Sequence, residues 1–226
     1  MDVADLILWI IPIAGLAAVL FAGYLARDVL GRDKGTQAMQ DVGDMIREGA
    51  DAFIKRQYTT IGLLAVLAAI AIGIVIYVVE TPDVADVREL AGLPIAVMTA
   101  IAFLVGAAAS MASGIIGMVV SVRSNVRTAS AAQRSLVEAV QVAMRGGAVS
   151  GFLVVALSLL GVWGIFTVYE SLIGDVAIEQ APFLIVGFGF GASFVALFAQ
   201  LGGGIYTKAA DVGSDLVGKV EAGIPE

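Results

Sequence analysis

The chain has 226 residues, of which 59% are hydrophobic and 15% charged, and its net charge is −7. This composition, with a mean hydropathy of +0.96, excludes an ordinary soluble domain and indicates a polytopic membrane protein. The sequence has no Cys and no His, which excludes disulfides, thiolate metal sites and histidine acid–base chemistry. The remaining Asp, Glu, Lys and Arg side chains suit magnesium and phosphate better than transition metals. No basic run indicates nucleic acid as a partner.

Five apolar segments are long enough to cross a bilayer. They predict an all-α fold of five transmembrane helices with cytoplasmic helical extensions, in a single transmembrane region over 1–226. The predicted spans are approximately 6–26, 59–79, 93–122, 147–169 and 182–206, followed by a tail at 207–226. Acidic rather than basic residues precede the first span, so we expect a retained helix and not a cleaved signal peptide.

The basic residues are distributed very unevenly between the two sides that alternating spans define. Only Arg88 of the 13 lies on one side. Because basic residues favour the cytoplasmic side, we expect an outside N-terminus, a cytoplasmic tail and a place in the cell membrane. The other side receives Arg27, Arg32, Lys34, Arg47, Lys55, Arg56, Arg123, Arg127, Arg134, Arg145, Lys208 and Lys219.

Two cytoplasmic connections are predicted to be helical. Apolar residues recur at helical spacing over 36–58, with charges on the opposite side. This segment could lie on the lipid surface as an interfacial helix. We favour a helix that packs against its neighbours and continues into the second span. A similar extension is predicted over 124–144.

Small residues recur at spacing four in the third span and near the start of the fifth. Such spacing favours close helix packing in lipid, although the serines could instead line a transport path. Gly187 and Gly191 are interpreted as a packing pair, because a dinucleotide-binding loop would have to follow a strand. The rows in the third span are Gly106, Ser110 and Gly114, and Ser113, Gly117 and Ser121.

The C-terminal tail continues the fifth apolar segment without a helix breaker. Lys208, Asp211, Asp215 and Lys219 lie at helical offsets of 0, 3, 7 and 11 and form one stripe. Cations and carboxylates on one stripe could hold a divalent metal with an anionic ligand. They could equally be the solvated end of a helix with ordinary ion pairs. The preceding glycines, 202–204, indicate either tight packing or a ligand close to the backbone.

Two stretches resemble one known family. The tail GGGIYTKAADVGSDLVGKVEAGIPE, residues 202–226, resembles the first active-site motif of membrane-integral, ion-pumping pyrophosphatases. IREGA at 46–50 and FIKRQY at 53–58 resemble the segment before that family's second helix. The resemblance spans essentially the whole chain and implies the first third of a homodimeric pump of roughly sixteen helices.

The resemblance also implies an activity, namely Mg²⁺-dependent hydrolysis of pyrophosphate coupled to outward movement of protons or sodium ions. Asp211 and Asp215 would be catalytic, the latter by orienting the attacking water or its metal shell. Lys208 and Lys219 would bind the substrate. The implied metal ligands are Asp211, Asp215, Glu221 and Glu226.

Two positions depart from the family pattern. Gln200 stands where many members carry an Arg that belongs to the coupling funnel, and Ser214 replaces a usual Ala. Because one helix supplies few carboxylates, we expect the 226 residues alone to be inactive. The alternative function is a non-catalytic membrane subunit or scaffold, or an inactive remnant of such a pump. The expected partners are pyrophosphate, the bilayer and the remaining helices of the pump.

Overall fold

The computed structural model describes residues 3–79, 95–173, 181–221 and 223. These residues form five long helices, and helices that follow each other in the sequence run antiparallel. All five are long and apolar enough to cross a membrane. The predicted all-α membrane fold is therefore confirmed. The helices are α1 (Val3–Leu30), α2 (Gln37–Val79), α3 (Ile95–Ala132), α4 (Leu136–Ile173) and α5 (Ala181–Val220).

Helix α3 is the centre of the bundle and packs against α2, α4 and α5, while α1 packs mainly against α4. Its glycines lie where three different neighbours approach. A Cβ atom on Gly106 would collide with the Phe188 backbone of α5, and one on Gly114 would collide with the Tyr58 hydroxyl of α2. A Cβ atom on Gly117 would lie 2.6 Å from Ser150 Oγ of α4. The small-residue rows therefore serve helix packing.

Helices α3 and α5 also meet through glycines of α5. A Cβ atom on Gly187 would collide with the Thr99 carbonyl oxygen, and one on Gly191 with the Phe103 carbonyl oxygen. Phe103 is itself 2% exposed and packs in an apolar cluster with Val195. Gly187 and Gly191 thus form the predicted packing pair, in which the absent side chains allow two backbones to touch.

We expect Gly191→Ala to destabilise the bundle by about 1–3 kcal/mol, because the new methyl group would meet a backbone atom that cannot rotate away. Gly189→Ala is the matched control, since a Cβ atom there meets no described residue within 4 Å. It should be neutral or slightly stabilising, because Ala favours the helix more than Gly does. Unfolding in detergent, followed by circular dichroism, measures both. Equal stability of the two variants would contradict the assigned contact.

Helix α2 is continuous from the connection after α1 through the second apolar segment, as the favoured interpretation predicted. Its first half packs against α3, where a Cβ atom on Gly43 would lie 3.3 Å from Val126 Cβ. The predicted extension over 124–144 is divided between two helices, because α3 ends at Ala132 and α4 begins at Leu136. The helices therefore extend beyond the apolar spans into the two connections that carry most of the basic residues.

Ion pairs join the C-terminal end of α1 to the first half of α4. Asp28 Oδ2 accepts hydrogen bonds from Arg32 Nη2 at 3.1 Å and from Arg145 Nη1 at 2.8 Å. The second of these bonds links residues 117 positions apart in the sequence. This contact anchors the end of α1 on α4.

Asp33 joins the α1–α2 connection to the end of α3. Its Oδ2 atom accepts hydrogen bonds from Ser130 Oγ at 2.7 Å and from Arg134 Nη1 at 3.2 Å, and its Oδ1 accepts from the Gly35 amide. The bond from Ser130, followed by those from Gly35 and Arg134, lowers the pKa of Asp33. Because its pKa is lowered in the folded chain, the ionised Asp33 carboxylate stabilises the fold. This stabilisation is complete at pH values above the pKa of an unfolded aspartate, and it is lost as the pH falls through the lowered pKa of Asp33.

Candidate functional site

Helix α5 runs without a break from the fifth apolar segment into the charged stripe. Lys208 Nζ donates a hydrogen bond to Asp211 Oδ2 at 2.9 Å, and these side chains are 75% and 58% exposed. Ion pairs at such exposed positions are weak, because water screens them and each side chain remains mobile. The Lys208 ammonium and the Asp211 carboxylate are therefore both accessible to a ligand.

The other predicted site residues lie farther along the same helix. Asp215 and Lys219 are exposed on α5. Glu221 is exposed just after α5, and its amide donates to the Val217 carbonyl at 2.9 Å. Gly223 adopts a positive φ of 63°, a conformation typical of the residue after a helix end. Glu226 lies outside the described residues.

Helix α2 supports α5 just before the stripe. Gln57 Nε2 donates to the Phe198 carbonyl oxygen at 2.8 Å, between residues 141 positions apart. One turn earlier on α2, the Phe53 ring packs against Tyr206 with a centroid distance of 4.8 Å. Both α2 residues belong to the FIKRQY stretch, so the two sequence motifs are in contact. Neither motif by itself predicts this contact, although both are expected on the cytoplasmic side.

The three consecutive glycines of α5 have different surroundings. Gly202 is buried, and a Cβ atom there would collide with the Gln57 amide. A Cβ atom on Gly203 or Gly204 would meet no described residue within 4 Å. Tight packing therefore explains Gly202, whereas Gly203 and Gly204 leave the α5 backbone open immediately before the stripe.

Gln200 and Ser214 also lie on α5. Gln200 is exposed, eight positions before Lys208. The Ser214 hydroxyl donates to the Asp211 backbone carbonyl at 2.9 Å, so the hydroxyl is satisfied within its own helix. A Ser in place of Ala at this position therefore requires no change in the helix.

The carboxylates of the stripe are the type of ligand that magnesium prefers, but the stripe supplies few of them. Carboxylate oxygens are hard ligands, and protein-bound Mg²⁺ commonly uses one or two carboxylates together with waters and substrate phosphates. Asp211 and Asp215 could provide such a pair. Within the described part of the chain, no group of three or more His, Cys, Asp or Glu side chains could hold a metal. Further ligands would have to come from outside these residues.

Comparison of the sequence with known proteins identifies the family of the chain. Residues 16–226 match a family described as inorganic H⁺ pyrophosphatase. The chain belongs to that family. Among curated H⁺ pyrophosphatase relatives, it is 52% identical over 212 residues to a K⁺-insensitive pyrophosphate-energized proton pump of Caldanaerobacter subterraneus. It is 45% identical over 215 residues to a pump of the same description from Methanosarcina mazei. It is 46% identical over 221 residues to pyrophosphate-energized membrane proton pump 3 of Arabidopsis thaliana.

The H⁺ pyrophosphatase relatives are much longer than this chain. The three alignments cover 93%, 95% and 93% of the chain but only 29%, 28% and 27% of the respective relatives. The chain therefore spans less than a third of the length of the H⁺ pyrophosphatases it matches. This proportion agrees with the first third of a pump that the motifs implied.

Proposed function

We propose that this chain is the N-terminal part of a membrane pyrophosphatase that hydrolyses pyrophosphate with magnesium and moves protons out of the cytoplasm. The observation that carries the proposal is the continuous α5, which bears Lys208, Asp211 and Asp215 after its apolar segment in a chain of this family. Protons are favoured over sodium ions because the relatives cited above are described as proton pumps.

The proposed roles rest on the resemblance of the tail to the active-site motif of this family, and the charge and exposure of the side chains are compatible with them. Lys208 and Lys219 neutralise phosphate oxygens, and the exposed Lys208–Asp211 pair can open to admit them. Asp211 and Asp215 would hold the metal, and Asp215 would also orient the attacking water or its metal shell. Glu221 and Glu226 would be further ligands. Bound magnesium would supply stabilisation of the negative charge that develops on the transferred phosphoryl group. Gln200 is proposed to mark the start of the coupling path.

The surface of α5 supports a larger assembly. Val212, Leu216 and Val220 follow each other at spacing four in the part of α5 beyond the membrane, and they are 48%, 59% and 81% exposed. An apolar stripe outside the membrane is unfavourable in water and usually marks a contact surface. The remaining helices of the pump, or a second subunit of a homodimer, would cover it.

Reporter fusions test the proposed orientation. Fusions after Gln57, Arg134 and Lys219 should report the cytoplasm, because these positions lie on the side that carries the basic residues. Fusions near Asp86 and Asp175, which lie outside the described residues, should report the outside. An outside signal from the Lys219 fusion would contradict both the orientation and the site assignment.

Transport by a complete pump that carries this chain as its N-terminal part tests the function itself. In inverted vesicles, magnesium and pyrophosphate together should produce phosphate release and acidification of the lumen, followed by a pH-sensitive dye. A protonophore should abolish the dye signal and leave phosphate release intact. Hydrolysis without acidification would contradict proton pumping, and absence of hydrolysis would favour the scaffold function.

A further inference from the structure

A polar cavity lies away from the α5 stripe, between the α1–α2 connection, α2 and α3. Its volume is about 340 Å³, within the range of roughly 300–1,000 Å³ typical of small-molecule sites. Among the described residues, four cationic side chains line it and one carboxylate does, that of Asp44. The cations are Lys34, Arg47, Arg123 and Arg127.

Arg127 is the most unusual of these residues because it is only 7% exposed. Its Nη1 donates to the Arg123 carbonyl at 2.6 Å, and its Nη2 donates to the carbonyl of Leu30, the last residue of α1, at 2.8 Å. Its Nε is buried and has no hydrogen-bond partner among the described residues. A buried donor without an acceptor costs free energy, and a ligand oxygen would recover it.

The charges around the cavity are also unbalanced. Within the described residues, neither Lys34 nor Arg123 takes part in a side-chain ion pair. Arg47 has one distant pairing, with Asp51 at 3.6 Å. Cations gathered around a cavity with one carboxylate repel each other, and a bound anion would remove that repulsion. Guanidinium groups match the geometry of phosphate oxygens in particular.

An apolar cavity of about 480 Å³ lies beside the polar one and shares Gly43, Val122 and Val126 with it. On α2 close by, Val42 and Met45 are 52% and 64% exposed. A phosphate group bound in the polar cavity would therefore have apolar surface next to it. Basic pockets at the cytoplasmic ends of transmembrane helices are typical sites for anionic lipid headgroups.

We propose that the cavity lined by Lys34, Arg47, Arg123 and Arg127 binds a phosphate-bearing anion, supplied either by an anionic lipid headgroup or as free phosphate. The site is independent of the hydrolytic stripe, and the proposal does not depend on the pump function. The bound anion would accept hydrogen bonds from Arg127 and would join α1, α2 and α3 at their cytoplasmic ends.

The test measures binding to the purified 226-residue chain in detergent. In one arm, native mass spectrometry follows retention of phosphatidylglycerol against phosphatidylcholine. In the other arm, radiolabelled inorganic phosphate is titrated in the absence of lipid. Wild type and the double variant Lys34→Gln/Arg123→Gln are compared, because neither side chain is deeply buried. The control Lys55→Gln/Arg56→Gln removes the same number of cations from α2 outside the cavity.

We expect the cavity double variant to lose about tenfold or more in binding, and the control to lose little, because only the first removes charges that face the anion. If the cavity variant loses binding and the control does not in the lipid arm, the ligand is a lipid headgroup. If this difference is seen in the phosphate arm alone, the ligand is soluble. Equal losses in both double variants would overturn the proposal in favour of diffuse surface attraction. Absence of binding to wild type in both arms would also overturn it. The variant Arg127→Lys tests the contribution of the buried Nε atom, because it keeps the positive charge of the side chain but removes that atom.

Discussion

Asp211→Asn and Asp215→Asn are each expected to lower pyrophosphate turnover by about 100-fold or more in a pump that carries this chain, on the scale of losing one preorganised electrostatic contact. Asn keeps the shape of Asp and removes the charge that would hold a metal or orient water. Lys208→Ala should act similarly and should also weaken substrate binding. Phosphate release and dye-reported ion uptake, measured in inverted vesicles at matched expression, provide the two readouts.

The competing explanation for the stripe predicts a different outcome. If Asp211 and Asp215 only solvate a helix end, removing either charge should change stability by a few tenths of a kcal/mol and leave turnover nearly intact. Asp41→Asn is the matched control, because Asp41 is an exposed carboxylate on α2 that accepts a hydrogen bond from Gln37 at 2.8 Å. Near-normal hydrolysis by both stripe variants would disprove the catalytic assignment.

The 226-residue chain alone is expected to release phosphate from magnesium pyrophosphate no faster than a detergent blank. The described residues contain no group of three potential metal ligands, whereas pyrophosphate with its magnesium ions needs several carboxylates around it. The measurement is phosphate release by the purified chain with and without magnesium. The complete pump, assayed in parallel, is the positive control.

A clear magnesium-dependent rate from the isolated chain would contradict this expectation, since it would mean that one helix end suffices for catalysis. A self-assembled oligomer could bring several α5 tails together, so the active fraction should be sized by chromatography. Activity that follows an oligomer peak would locate the missing ligands on neighbouring copies. Activity in a monomer peak would require a different mechanism.

The exposed stripe on α5 begins directly after the contacts that hold α5 against α2. Lys208 and Asp211 pair with each other, and both side chains remain largely exposed. The Gln57 bond to Phe198 and the Phe53–Tyr206 contact hold α5 against α2 just before these residues. These contacts fix α5 against α2 immediately before the candidate site.

The sequence by itself determined the class of fold and the location of the candidate site. Long apolar runs have few stable solutions in a bilayer, because every backbone polar group must be satisfied within the segment. The five helices and the continuity of α5 into the charged tail follow from that constraint and from the absence of a helix breaker. The stripe of Lys208, Asp211 and Asp215 follows from helical periodicity alone.

Only the tertiary structure decided which helices touch and which polar groups are satisfied. Neither the Gln57 bond to Phe198 nor the placement of Arg127 against the end of α1 has a local signal, because their partners lie 141 and 97 positions away. In lipid, helix pairing depends on the matching of small residues and backbone shape between two surfaces, which a single helical pattern does not encode. For the same reason the glycines at 202–204 looked alike in sequence. Contact with Gln57 distinguished Gly202 from the two that followed.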